Sequence, residues 1–150
     1  MPHASRTVVI KRPVTEVFSF LADAENDPQW RYGIREIKRV GELAVGSRYI
    51  QRGAGPAGMS LPADIELTAY EPNTKVAFRT IAGPVRPRGE YAFRRLADAT
   101  EVTFTLEVEL TGVKKLFMAG MVQKTMDAEA AALDRAKTLL ESRSSSPKGR

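Results

Sequence analysis

An α+β domain is expected, in which a curved antiparallel sheet of about six to seven strands wraps round a long C-terminal helix and two short helices follow the first strand. Three observations lead there. A β-branched run and a proline-started helical stripe open the chain, a hydrophobic period of two governs Ile34 to Leu110, and a period near 3.6 returns from about Val113 to Ser142. One long helix after so many short strands has to cover a whole sheet.

Ser5–Lys11 reads as the first strand, because Val8, Val9 and Ile10 suit a pleated surface. Pro13 ends it and is favoured in the first turn of a helix. Val14, Val17, Phe18 and Leu21 then fall at i, i+3, i+4 and i+7, one apolar stripe. Asp23–Tyr32 is polar and holds Asn26, Pro28 and the single tryptophan, Trp30; it reads as one or two loose helical turns.

Ile34–Val40 and Ser47–Arg52, separated by Gly41–Gly46, read as a hairpin. The glycine-rich stretch Gly53–Gly58 is a turn. Met59, Leu61, Ala63, Ile65, Leu67 and Ala69 then alternate with mostly polar neighbours, which predicts one long half-buried strand closed by Glu71, Pro72 and Asn73. Val76, Phe78 and Thr80 mark the next strand, Tyr91 and Phe93 another, and Val102, Phe104, Leu106, Val108 and Leu110 a last long one. Such alternation means antiparallel strands with one wet face. Thr111 is placed to cap the long helix, whose inward stripe is Met118, Val122, Met126, Leu133 and Leu140.

At 150 residues the chain has the length of one ordinary domain. The expected division is a flexible N-terminus over residues 1–4, a domain over 5–142 and a disordered basic tail over 143–150. The net charge of +5 raises the question of a nucleic-acid partner. Six of the 23 basic residues lie in 1–12 and 142–150, which hold no acid, so the body sets 17 basic against 18 acidic residues and is nearly neutral. No nucleic-acid partner is expected, and Arg86, Arg88, Arg94 and Arg95 read as a solvated sheet face. No segment approaches the roughly 20 apolar residues of a membrane span, and no signal-peptide core is seen near Met1, so a cytoplasmic protein without integral membrane association is expected.

Cysteine is absent, which removes disulfides, thiolate metal sites and cysteine nucleophiles. The sole histidine, His3, falls in the expected flexible N-terminus, so neither a Ser-His-Asp arrangement nor an imidazole metal site can be assembled. No metal and no cofactor are expected. Asp64, Glu66, Glu107 and Glu109 fall on the wet face of their strands, so neither long strand is expected to supply a buried acid of tuned pKa.

Four stretches stand out: VVIKRPVTEVFSFLADAENDPQW, which ends at Trp30, VGSRY at Val45–Tyr49, AYEPNTKVAFR at Ala69–Arg79 and AALDRAKTLLES at Ala131–Ser142. Together they resemble the START-like, or SRPBCC, helix-grip superfamily, within it the polyketide cyclase/dehydrase-type group. The resemblance covers Ser5 to Ser142. It implies a cavity between sheet and long helix for small apolar or amphipathic molecules, such as polyketides, lipids, sterols or aromatic compounds. Some relatives catalyse cyclisation or dehydration and many only bind or transfer ligands.

Candidate ligand-binding residues follow from phase. Tyr49 and Gln51 share an inward phase, as do Phe78 and Thr80, and Tyr91 and Phe93, with Phe104 on the apolar face of the last strand. They offer a few hydroxyl and amide groups on an apolar lining. Met118, Met121 and Met126 flank Val122 in the first half of the helix, where adaptable thioethers suit varied ligands. That half is expected to face the cavity, and the half bearing Leu133 and Leu140 to be packed. Trp30 either covers an entrance or anchors its loop to the sheet. The expected function is binding of a hydrophobic or amphipathic small molecule in an internal cavity by a monomer or homodimer, with polyketide cyclase or dehydratase activity left open and a non-catalytic carrier or sensor as the alternative.

Overall fold

The computed structural model describes residues 2–83, 85–110 and 112–143, without the side chains of Pro56 and of 113–118. Eight antiparallel strands share one sheet: β1 (His3–Ile10), β2 (Ile34–Val40), β3 (Arg48–Ala54), β4 (Ser60–Pro62), β5 (Ile65–Glu71), β6 (Lys75–Thr80), β7 (Arg88–Arg95) and β8 (Thr100–Glu107). Their order is β1-β8-β7-β6-β5-β3-β2, with β4 paired to β3 alone. The helices are α1 (Val14–Ala22), α2 (Gly112–Ala131) and α3 (Leu133–Ser142), and a 3-10 segment, Ala24–Gln29, follows α1. This is the expected curved sheet with a helical arm across it. α2 lies against β1 and β8, α3 against β1, and α1 against β7. Among the described residues no helix is long and apolar enough to cross a membrane.

The structure corrects four boundaries. β1 begins at His3, which pairs with Glu107, and Ala4 is buried, so residues 2–4 belong to the domain. His3 N–H donates to Gln123 Oε1 at 3.1 Å, which ties this end to α2. The strand expected over Met59–Ala69 is broken into β4 and β5. Pro62 lacks an N–H for the ladder, and at the break Gln51 instead donates its backbone N–H to Asp64 Oδ1 at 3.1 Å and its side-chain amide to the Ala63 carbonyl at 2.8 Å. Met59 is consequently exposed. The last strand ends at Glu107, and Val108 N–H donates to the Pro2 carbonyl outside the ladder. The long helix is interrupted at Ala132, where Arg135 N–H takes the Ala132 carbonyl at 2.9 Å, a tightened turn. The expected Thr111 cap and residues 144–150 of the expected tail lie outside the described residues.

One end of the molecule is solidly packed. Ile10, Val17, Val102, Leu133, Ala136 and Leu140 are fully buried there, and the Phe18 ring meets Phe93 at 5.1 Å edge-on and Tyr70 at 5.4 Å. The other end is hollow.

Candidate functional site

Between the inner face of the sheet and α2 lies a cavity of about 540 Å³. Ile65, Leu67, Val76, Phe78, Tyr91 and Phe104 line it from the sheet, with Leu61 and Ala63 at the β4–β5 break. Met121, Val122, Thr125, Met126 and Glu129 line it from α2, and no described residue of α3 does. Ala54, Pro62, Met121 and Thr125 are exposed as well as lining, and mark the mouth.

The floor depends on one glycine. Phe78, Gly89 and Leu106 stand side by side in the register of β6, β7 and β8. A Cβ on Gly89 would come within 2.5 Å of Phe78 Cζ and 2.9 Å of Leu106 Cδ2. The bare position is what lets the Phe78 ring lie over β7.

The remaining wall is charged. Asp23 caps the 3-10 segment by accepting from Glu25 N–H, and the turn brings both Trp30 and Arg31 N–H groups onto the Asp27 carbonyl, at 2.9 and 2.7 Å. The Asp27 carboxylate then faces the guanidinium four residues on: Arg31 donates to Asp27 Oδ2 at 2.8 Å and to Glu129 Oε2 of α2 at 2.8 Å. All three residues line the cavity. Asp27 is only 4% exposed, and its Oδ1 has no partner among the described residues. Burial pushes its carboxyl up to about 6, opposed by Arg31 and reinforced by Glu129 and Asp23. Burial works against the Arg31 charge, but Glu129 and Asp27 outweigh it and hold the guanidinium firmly protonated. Tyr91, which lines the same region, has its hydroxyl pushed well up by burial and then by the Asp27 charge. Gln51, also lining, keeps Oε1 without a partner among the described residues.

The expected ligand-binding residues therefore divide. Gln51, Phe78, Thr80, Tyr91, Phe104, Met121, Val122 and Met126 line the cavity, and Trp30, Tyr49 and Phe93 do not. Trp30 is fully buried, and its carbonyl accepts from Arg135 Nε at 2.8 Å, so it anchors rather than covers an opening. Tyr49 is fully buried beside the 3-10 segment, its hydroxyl donating to Asp23 Oδ1 at 3.1 Å. Phe93, two residues beyond Tyr91, reaches past the cavity to the Phe18 packing. The Met118 side chain lies outside the described residues. Among the described residues no three His, Asp or Glu side chains converge as metal ligands would.

The expectation of no buried acid of shifted pKa is confined to the two long strands, and a different element supplies one. On the strands outward phase is indeed seen for Glu66 and Glu107 in ion pairs with Arg79 and Arg88, whereas the acid comes from the 3-10 turn. Two signals in the sequence point to it: Asp27 and Arg31 sit at i, i+4, and Glu129 falls on the Val122–Met126–Leu133 stripe of the helix. The consequence is measurable. With the folded pKa of Asp27 raised, its stabilising protonation is present at low pH and lost as pH rises through about 6. Glu66, Glu101 and Glu141, held low by hydrogen bonds from Arg79, Arg94 and Lys137, lose their contribution only as pH falls through the ordinary glutamate range. Denaturant titrations should therefore find the protein more stable at pH 5 than at pH 7.5 by on the order of 1 kcal/mol, a difference that Asp27→Asn removes.

A family model described as polyketide cyclase / dehydrase and lipid transport matches residues 1–141. No curated protein matches in sequence. Among solved structures, TTHA0849 from Thermus thermophilus is 19% identical with a TM-score of 0.76, covering 95% of this chain and 100% of that one. A START superfamily protein from Mycobacterium smegmatis is 20% identical with a TM-score of 0.72, covering 92% of this chain and 98% of that one. The di-domain ARO/CYC BexL from the BE-7585A biosynthetic pathway is 15% identical with a TM-score of 0.72, covering 95% of this chain and 50% of that protein. At such identities the structures speak for the fold alone. The fold is the START-like helix-grip fold, and the chain belongs to the polyketide cyclase / dehydrase and lipid transport family.

Proposed function

We propose that the protein binds a hydrophobic or amphipathic small molecule, a polyketide, lipid or aromatic compound, in the cavity between α2 and the sheet. The observation that carries this is the cavity itself: about 540 Å³, walled mostly by apolar side chains, with a few polar groups gathered on one wall. That volume is within the roughly 300–1,000 Å³ usual for small-molecule sites. A space of this size inside a domain otherwise closely packed gives up dispersion contacts that a ligand restores. Native mass spectrometry of freshly purified protein should show a non-covalent adduct, or uptake of a neutral apolar probe at one per chain. The absence of both would rule the reading out.

The Asp27–Arg31–Glu129 group favours a second reading beside simple carriage, acid–base chemistry on the bound molecule. A carboxyl held near 6 exchanges its proton close to neutral pH, where a general acid or base is most effective. Cyclisation or dehydration of a carbonyl-rich substrate is the class of reaction this serves. A rate profile with an inflection near pH 6 that disappears in Asp27→Asn supports it, and a profile flat through that range removes it.

A further inference from the structure

We infer that the cavity selects neutral molecules that donate a hydrogen bond, such as phenols and alcohols, and rejects carboxylates. The inference rests on the proposed function, since it specifies the occupant of the same cavity. Its basis is the imbalance of the polar wall. The charged residues among the described lining are two carboxylates, Asp27 and Glu129, against one guanidinium, Arg31. Arg31 is already shared between them, at 2.8 Å on each side.

The unpaired atoms on lining residues point the same way, since the third buried side-chain atom without a partner among the described residues, the donor Trp30 Nε1, belongs to a residue that does not line the cavity. Asp27 Oδ1 and Gln51 Oε1 are both acceptors, both belong to lining residues less than a tenth exposed, and neither has a partner among the described residues. The Gln51 amide nitrogen is already used on the Ala63 carbonyl. A buried acceptor without a donor is costly, and a donor supplied by the occupant removes that cost. An incoming carboxylate brings two further acceptors and a third negative charge to a wall with a single cation among its described residues, in surroundings where charges are poorly screened.

The cations of the adjoining depression do not alter this. Lys124 and Arg135 line a separate depression with Tyr32 and Ala128, bounded by the Arg31 and Glu129 residues that also wall the cavity. Arg135 is occupied there by the Trp30 carbonyl and by the Tyr32 ring, 4.3 Å from its guanidinium carbon. Neither Lys124 nor Arg135 lines the cavity.

The test compares three molecules of one shape. Displacement of the neutral probe N-phenyl-1-naphthylamine from the full chain at about pH 7.5 is measured with 2-naphthol, 2-methylnaphthalene and 2-naphthoate, a pH at which an acid titrating near 6 is ionised. Naphthol should bind about tenfold tighter than methylnaphthalene, the worth of one hydrogen bond to a charged acceptor, and naphthoate at least about tenfold weaker than methylnaphthalene. In Asp27→Asn, which removes the charge and keeps the shape, both differences should shrink to about threefold or less. Naphthoate binding as tightly as naphthol overturns the inference, as does equal binding of naphthol and methylnaphthalene. The wild-type comparison decides the matter even if Asp27→Asn folds poorly. If the probe itself is not taken up, the cavity reading fails, an outcome distinct from uptake without selectivity.

Discussion

Arg31→Met should destabilise the domain by about 3–5 kcal/mol near pH 7.5, the largest effect expected of any single charge removal in this chain. The Arg31 side chain is 19% exposed, and its guanidinium lies between an Asp27 side chain that is 5% exposed and a Glu129 side chain that is 29% exposed. Methionine keeps length and apolar contact, so the loss is electrostatic. It leaves the Asp27 carboxylate buried beside Glu129 with no ion-pair partner among the described residues. Much of the loss should therefore be recovered at pH 5, because Asp27 without Arg31 takes up a proton more readily than the wild-type group already does near 6. Asp27→Asn combined with Arg31→Met should cost clearly less than Arg31→Met alone, a coupling that a double-mutant cycle reads directly. A loss under about 1 kcal/mol, unchanged by pH, would mean that water reaches Asp27 freely.

Val122→Trp and Leu133→Trp form the second comparison, and they should act in opposite ways. Val122 is buried yet lines the cavity, whereas Leu133 is fully buried in the packed end and does not line it. An indole at 122 has empty space to enter, so thermal stability of ligand-free protein should stay within about 1 kcal/mol of wild type while affinity for a neutral naphthalene probe falls at least tenfold. An indole at 133 has none and forces displacement of its neighbours, at a cost of about 1–3 kcal/mol or more. Val122→Trp unfolding the protein while Leu133→Trp is silent would sink the cavity assignment.

The contrast between those two positions could be read from the sequence, and the reason is periodicity. Met118, Val122, Met126, Leu133 and Leu140 form one stripe, with methionines in its first half and leucines in its second, and the lining from Met121 to Glu129 ends where α3 begins. Alternation was equally informative for Phe78, Thr80, Tyr91 and Phe104. It failed where a neighbour outside the strand takes the side chain: Tyr49 and Phe93 share an inward phase with Gln51 and Tyr91, but the 3-10 segment takes the Tyr49 hydroxyl and α1 takes the Phe93 ring. Period also says nothing about a 3-10 turn, whose side chains are placed by local hydrogen bonds. Asp27 owes its position to such bonds, and the charged wall escaped a reading built on strand phase.

The breaks in regular structure were illegible for a similar reason. Alternation across Leu61, Ala63, Ile65 and Leu67 is satisfied equally by one straight strand and by β4 and β5 bent about Pro62 and Asp64. Pro62, with no N–H for the ladder, is the one local mark of the break, and the bend is held by the side-chain amide of Gln51 reaching across to Ala63, a bond that no local pattern encodes.

The bare position at Gly89 has a consequence for how such a cavity is resized. Because Phe78 rests over β7 where a side chain would otherwise stand, the ring is parked outside the binding space by a vacancy in the neighbouring strand. Atoms added at residue 89 enter the ligand's room indirectly: they evict the ring, and the ring does the filling. The capacity of the cavity is thus adjustable from a backbone position that need never touch the guest, with Phe78 acting as a piston between the two.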